Sequence, residues 1–280
     1  MKKPRIQYVA AQWTMLEYPS QSQDWTLDQK MTAAKAAGFD AFAFYTQDSS
    51  LPALSQKHGL QLLGYVASGK AHEFEKLLRA NKDSGAHHIN VQMADEDTLT
   101  PEALGLALRL IEEGRKLGVK PAIEVHRDTC TETPEKTYAL ADAYQKVTGE
   151  LMPMTWDFSH LSVVKHLNPS NYIEKLIVRP DLIQRAQQFH LRPFNGHHAQ
   201  IPVTDGKGNL TPEIQEWLPF AEALLKCWLE GNRNTDREIF VCPELGPVPG
   251  GYNLSLLPNS WEDAQVLRVE LAKIWNRLLP

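Results

Sequence analysis

The chain has 280 residues, 42% of them hydrophobic, which is enough apolar material for one substantial core. A net charge of −5 and a pI near 6.1 offer no electrostatic invitation to nucleic acid or to an anionic membrane surface, so neither is expected as a partner. Cys130, Cys227 and Cys242 stand far apart with no C-x-x-C pair, which argues against a disulfide framework and against a thiolate zinc site.

In chain order, the N-terminal MKKPRIQYVAAQW runs straight into a strand-like stretch with no small-residue cleavage site. No run of about 18 apolar residues occurs anywhere. The expectation is a cytoplasmic protein. After the first strand, YVAAQWTM continues without a glycine-rich phosphate loop, which weakens a dinucleotide-binding fold. Thr26-x-x-Gln29 has capping-box spacing and opens a helix that ends at Gly38, followed at once by the apolar run FDAFAFY. The same punctuation recurs at Gly59, Gly85, Gly118 and Gly149. In each case a helical stretch ends at a glycine, which accepts positive φ without cost, and a β-rich run follows. Helix starts carry a repeated tripeptide, Thr100-Pro101-Glu102, Thr133-Pro134-Glu135 and Thr211-Pro212-Glu213, in which threonine caps, proline fits N1 and glutamate meets the positive end of the helix. Ser260-x-x-Asp263 reads as the capping box of the last helix. Leu104, Leu108 and Ile111, and later Leu267, Leu271 and Ile274, recur at helical spacing as core faces.

Strand-like runs fall at about 5–12, 39–45, 60–67, 87–93, 120–126, 152–158, 188–194 and 238–244. Strict alternation of strand and helix implies a parallel sheet, and eight repeats favour closure into a barrel. The expected architecture is an α/β fold, a single (β/α)₈ TIM barrel domain over 1–280.

In such a barrel the chemistry collects where strands finish. Strand five ends A-I-E-V-H-R, with Glu124 and His126 on one pleat face; strand six ends T-W-D-F-S-H, with Asp157 and His160. Strand seven offers His190 and strand eight Glu244. Carboxylates inside apolar strand runs are costly unless paired or bound to a cation, so Glu124, Asp157, His190 and Glu244 together suggest one divalent metal. The oxygen-rich set favours Mn²⁺, Mg²⁺ or Co²⁺, with Zn²⁺ as the remaining candidate.

These residues resemble those of the xylose isomerase-like barrel superfamily, over essentially the whole length, and the ketose 3-epimerases and hydroxypyruvate isomerases look nearest. Glu124, Asp157, His190 and Glu244 match that family's metal ligands one by one, and the Asp157-x-x-His160 spacing matches an epimerase histidine that contacts substrate. The segment from His190 to His198 resembles an isomerase loop in which a strand ligand is followed eight residues later by a loop histidine. His197 stands where relatives place an arginine, a role Arg192 could take over. The resemblance implies a small sugar or hydroxy-keto substrate and proton transfer through a metal-stabilised enediolate. Glu124 and Glu244 would be the catalytic pair. His160, Arg192, His197, His198 and Tyr252 would contact substrate, and His126 would hold a ligand in place. The Gly- and Pro-rich stretch 246–259 reads as a cover for the mouth. A metal-dependent dehydratase of the inosose type, an endonuclease IV-like phosphodiesterase and a non-catalytic sugar-binding barrel are the alternatives. The His87-His88 pair falls at the wrong end of strand four for the phosphodiesterase's extra ligands. A homo-oligomer is compatible with the sequence.

Overall fold

A computed structural model describes residues 2–279. Eight parallel strands close into a barrel in sequence order: β1 (Arg5–Ala11), β2 (Ala41–Ala43), β3 (Gln61–Ser68), β4 (His88–Met93), β5 (Lys120–Glu124), β6 (Met154–Trp156), β7 (Gln188–His190) and β8 (Glu238–Cys242). Closure is made by β1 against β8, with Arg5 opposite Glu238 and Tyr8 opposite Val241. Around it run helices α1 (Leu27–Ala36), α2 (Leu51–His58), α3 (Phe74–Asp83), α4 (Thr100–Leu117), α5 (Pro134–Thr148), α6 (Phe158–Val164), α7 (Tyr172–Leu176), α8 (Pro180–Arg185), α9 (Pro212–Glu230) and α10 (Ser260–Leu278). Among the described residues no helix is long and apolar enough to cross a membrane.

The local signals act largely as the sequence implies. Gly38, Gly59, Gly85, Gly118 and Gly149 all take positive φ, the conformation that turns each helix into the next strand. Thr26 and Gln29 form a reciprocal capping box, and Thr133 and Thr211 cap α5 and α9 by accepting from Lys136 N and Ile214 N. Two starts differ. Thr100 already lies inside α4 and makes no cap. The cap of α10 is Asn259, whose side chain accepts from Trp261 N and Glu262 N, so Ser260 and Asp263 do not form the expected box. Asp263 instead binds the loop before α9, accepting from Val203 N and from Thr204 Oγ1.

Alternation along the strands sorts side chains into two separate apolar clusters. Tyr8 and Ala10 of β1 join the large outer core between sheet and helices, whereas Val9 and Ala11 face inward. The inner cluster comprises Val9, Ala11, Ala41, Leu63, Phe240 and Cys242. Its small side chains on β1 and β2 leave room at the C-terminal mouth. All three cysteines are free and buried.

Candidate metal centre at the barrel mouth

Four strands deliver the cluster. Glu124 is the last residue of β5 and His190 the last of β7. Asp157 follows β6 directly and caps α6, accepting from Ser159 N at 2.9 Å. Glu244 lies just beyond Cys242, the end of β8. The predicted runs overshoot the ladders here: β6 ends at Trp156 and β8 at Cys242, so Asp157 and Glu244 lie past the last ladder pairing. One ligand atom from each residue, three carboxylate oxygens and one imidazole nitrogen, lies within 4.8 Å of all the others.

The donors fit a cation. Glu124 Oε1 and His190 Nδ1 are buried and 2.8 Å apart, yet neither makes an aligned hydrogen bond. Glu244 Oε2 stands 3.1 Å from the same nitrogen. Donor atoms gathered around one point are what a shared centre requires, and bonds of roughly 2.0–2.2 Å would place opposite ligands about 4.4 Å apart, close to the observed spread. His190 Nε2 meets the Gln188 side-chain amide at 2.7 Å, and Asn90 Nδ2 donates to Glu124 Oε2 at 2.7 Å. Both contacts fix ligand orientation from behind.

Above the cluster opens a cavity of about 360 Å³, lined in part by Trp13, Tyr65, Gln92, Arg127, Arg192 and Tyr252.

No family model matches the chain, and no curated protein matches it. Solved structures do. An L-ribulose 3-epimerase superposes with a TM-score of 0.64 at 12% identity, over 99% of this chain and 97% of that one. A xylose isomerase-like TIM barrel protein from Mycobacterium smegmatis, in complex with magnesium, gives 0.62 at 13% identity over 98% of each chain. The probable 3-DHS dehydratase involved in petrobactin synthesis in Bacillus anthracis gives 0.56 at 13% identity, over 99% of this chain and 100% of that one. The chain shares the (β/α)₈ barrel fold of these structures.

On that fold the electrostatics of the mouth are set by burial against charge. Burial works to raise the Glu124 carboxyl, but His190, with His126 and Asn90 adding, holds it at about 2. Asp157 is fully buried, which disfavours its charge, yet Arg192 and then His160 keep it well below the ordinary carboxylate range. Burial would lower His190, but Glu244 and Glu124 raise it well above the ordinary histidine value. His160 goes the other way: burial lowers it, more than Asp157 can restore. It is a neutral ring beside the cluster, with Nε2 3.3 Å from Asp157 Oδ2 and 3.1 Å from Arg192 Nη2.

The other sequence candidates divide. Arg192 is buried, contacts Asp157 Oδ2 through Nη2 and donates from Nη1 to Tyr252 Oη at 2.6 Å. Tyr252 comes from the predicted cover segment. Its ring packs over Gly246 so closely that a Cβ there would lie 2.1 Å from Cδ2, and it stands edge-on to Trp13 with centroids 5.6 Å apart. His126 lines the cavity itself rather than backing a ligand: its ring lies 4.3 Å from that of His160, and Nδ1 meets the Arg127 carbonyl at 2.6 Å. His197 and His198 are not brought to the cavity. Both are exposed, and both backbone amides donate to Asn195 Oδ1, which turns the loop outward.

Several lining residues escape the motif reading: Asn90 and Gln92 on β4, Tyr65 on β3, Gln188 two before His190, Trp13 after β1 and Arg127 after β5. For β4 a signal existed, since H-x-N-x-Q places polar groups at period two inside an apolar run. Tyr65 donates to Gln92 Oε1 at 2.7 Å, which joins these two polar groups of the wall.

Proposed function

We propose that the protein is a metal-dependent isomerase or epimerase of a sugar or small hydroxy-keto compound, working by proton transfer beside a carbonyl. The observation that carries this reading is the convergence of Glu124, Asp157, His190 and Glu244 within 4.8 Å beneath a cavity of substrate size. A divalent cation bound by these four, with Mn²⁺, Mg²⁺ or Co²⁺ ahead of Zn²⁺, supplies positive charge where negative charge develops on the substrate oxygen.

The remaining work falls to the chain's own groups. Glu244, with 19% of its side chain exposed toward the cavity, is placed to take or return a carbon-bound proton at its carboxylate. Glu124 is the second proton-transfer group: Oε1 faces the cation site, and Oε2, which accepts from Asn90 Nδ2, keeps a further lone pair for the proton. Coming from β5 and β8, the two carboxylates approach from different sides of the mouth. Neutral His160 and the Arg192 guanidinium orient substrate oxygens. Tyr252 and the 246–259 segment keep bulk water from the reacting carbon. His197 and His198 contribute only through the shape of their loop.

The epimerase and the dehydratase that share the fold begin from different product chemistries, and one experiment separates them. Metal-loaded protein in D₂O is followed by NMR against ketoses, aldoses, inososes and small keto acids. Deuterium entering the carbon next to the carbonyl with the substrate formula otherwise unchanged supports the proposal. A product lacking one water moves the dehydratase ahead. Binding without exchange leaves a sugar-binding barrel, and neither binding nor exchange overturns the reading.

A further inference from the structure

The proposed chemistry accounts for Arg192 but not for a second arginine at the same mouth. Arg127 sits in the turn after β5 and lines the cavity. Its Nη1 donates to Tyr252 Oη at 3.1 Å, the same oxygen that accepts from Arg192 Nη1 at 2.6 Å. Both guanidiniums also stand over the Tyr252 ring, at 5.8 and 5.4 Å from its centroid.

The two arginines are balanced differently. Arg192 is buried against Asp157, whose charge it answers. The ion-pair partner of Arg127 is Asp128, 3.7 Å away with 78% of its side chain in water, a contact worth little. Two like charges converging on one phenol oxygen favour the arrival of an anion. At the mouth, Glu124, Asp157 and Glu244 face Arg127, Arg192 and a divalent cation, which leaves one unit of positive charge when His190 is a neutral ligand. A phosphate monoester would bring about −1.5 to −2 charges near neutral pH and a carboxylate one, so the carboxylate is the better match.

We infer that the substrate is a monocarboxylate, a hydroxy-keto or sugar acid, and that Arg127 reads its carboxylate with Arg192 and Tyr252 beside it. This rests on the proposed function for the reacting end of the molecule; the carboxylate end is read by binding alone.

The test is calorimetric titration of Mn²⁺-loaded protein with two matched pairs, D-fructose with D-fructuronate and D-tagatose with D-tagaturonate, and with D-fructose 6-phosphate. In at least one pair the acid should bind about tenfold or more tightly than the neutral ketose, the scale of one charge-assisted hydrogen bond at a partly exposed site. Arg127→Gln, with metal content verified, should shrink that ratio to about twofold or less. Absence of a preference in both pairs, including absence of binding, overturns the carboxylate assignment, as does tighter binding of the phosphate. A preference that survives Arg127→Gln overturns the role of Arg127. A carboxylate preference without solvent exchange on any ligand sinks the proton-transfer reading and leaves this one standing, and exchange on neutral ketoses with no preference does the reverse.

Discussion

Two histidines on the barrel wall, His190 at the C-terminal end of β7 and His88 at the N-terminal end of β4, are pushed in opposite directions. Burial acts to lower both. At His88 it wins, with Lys120 adding, and takes the ring down to about 4. At His190 it loses to Glu244 and Glu124, and the ring is held well above its ordinary value. The sheet is the same and the residue type is the same; what differs is the company. The floor surrounds His88 with the Phe240 ring, 4.7 Å away, and places Lys120 and Arg237 among its neighbours around a wider hollow. The mouth surrounds His190 with carboxylates.

The largest effect should come from removing a proton-transfer group. Glu244→Gln is expected to reduce solvent exchange on the substrate by several orders of magnitude while the metal stays bound, because the amide keeps an oxygen for the cation but cannot accept the proton. Glu124→Gln should do the same with greater loss of metal, since it is buried and shares its site directly with His190. Near-normal exchange in both variants with full metal content would refute the paired-glutamate mechanism.

Next is Asp157→Asn. Metal affinity, measured by competition with a chelator, should fall by at least about 10–100-fold, the range seen even for groups that only support a ligand. The structure adds a cost that a solvated mouth residue would not carry. Arg192 is left buried without its carboxylate, so a loss of about 3–5 kcal/mol in stability is expected on chemical denaturation. Unchanged metal affinity in the folded variant would remove Asp157 from the ligand set.

The contrast between the histidines also predicts proton release. With His190 raised above its ordinary value, the metal-free protein holds a proton there at pH 7, and the metal needs the neutral ring. Affinity should therefore rise with pH, and Mn²⁺ added in weak buffer at pH 7 should release about one proton per metal bound. No release would mean that the mouth does not load His190 with a proton, and the contrast with His88 would vanish.

Much of this arrangement is legible in the chain, for identifiable reasons. The four candidate ligands stand at the ends of strand runs, where a polar residue in apolar surroundings is conspicuous, and the barrel brings those ends together whatever the loops do. Asn90 and Gln92 lie on the same kind of pleat face, but a neutral amide inside a strand does not demand a cation and draws less notice. Arg127 and the outward turn of His197 and His198 depend on loop geometry. Eight residues along the chain say nothing about which way Asn195 bends it. The start of α10 shows the same limit locally. Ser260 and Asp263 have the right spacing, but Asn259, one residue earlier, reaches the free amides and leaves Asp263 for the loop at Val203 and Thr204.

The smallest predicted effect tests the quiet end. His88 titrates near 4 in the folded protein against an ordinary value of 6.5, so the folded state resists the proton that the unfolded chain accepts. Above pH 6.5 both states are neutral there and His88 has no effect on the pH dependence. As pH falls from 6.5 toward 4 only the unfolded chain gains the proton, and stability declines; below 4 both states carry it and the decline from this residue stops. One pKa unit corresponds to about 1.4 kcal/mol, and a part-exposed ring recovers some solvation, so the total loss should be about 2 kcal/mol. Other groups titrate in the same window, which makes the difference between two proteins the useful quantity. His88→Gln keeps a polar side chain but cannot take the proton. Urea denaturation of wild type and variant at several pH values between 7 and 4 should show the stability gap moving by that amount in favour of the variant. Parallel curves would mean that His88 is solvated well enough to accept its proton in the folded state, and the floor of the barrel would then be no drier for a histidine than open water.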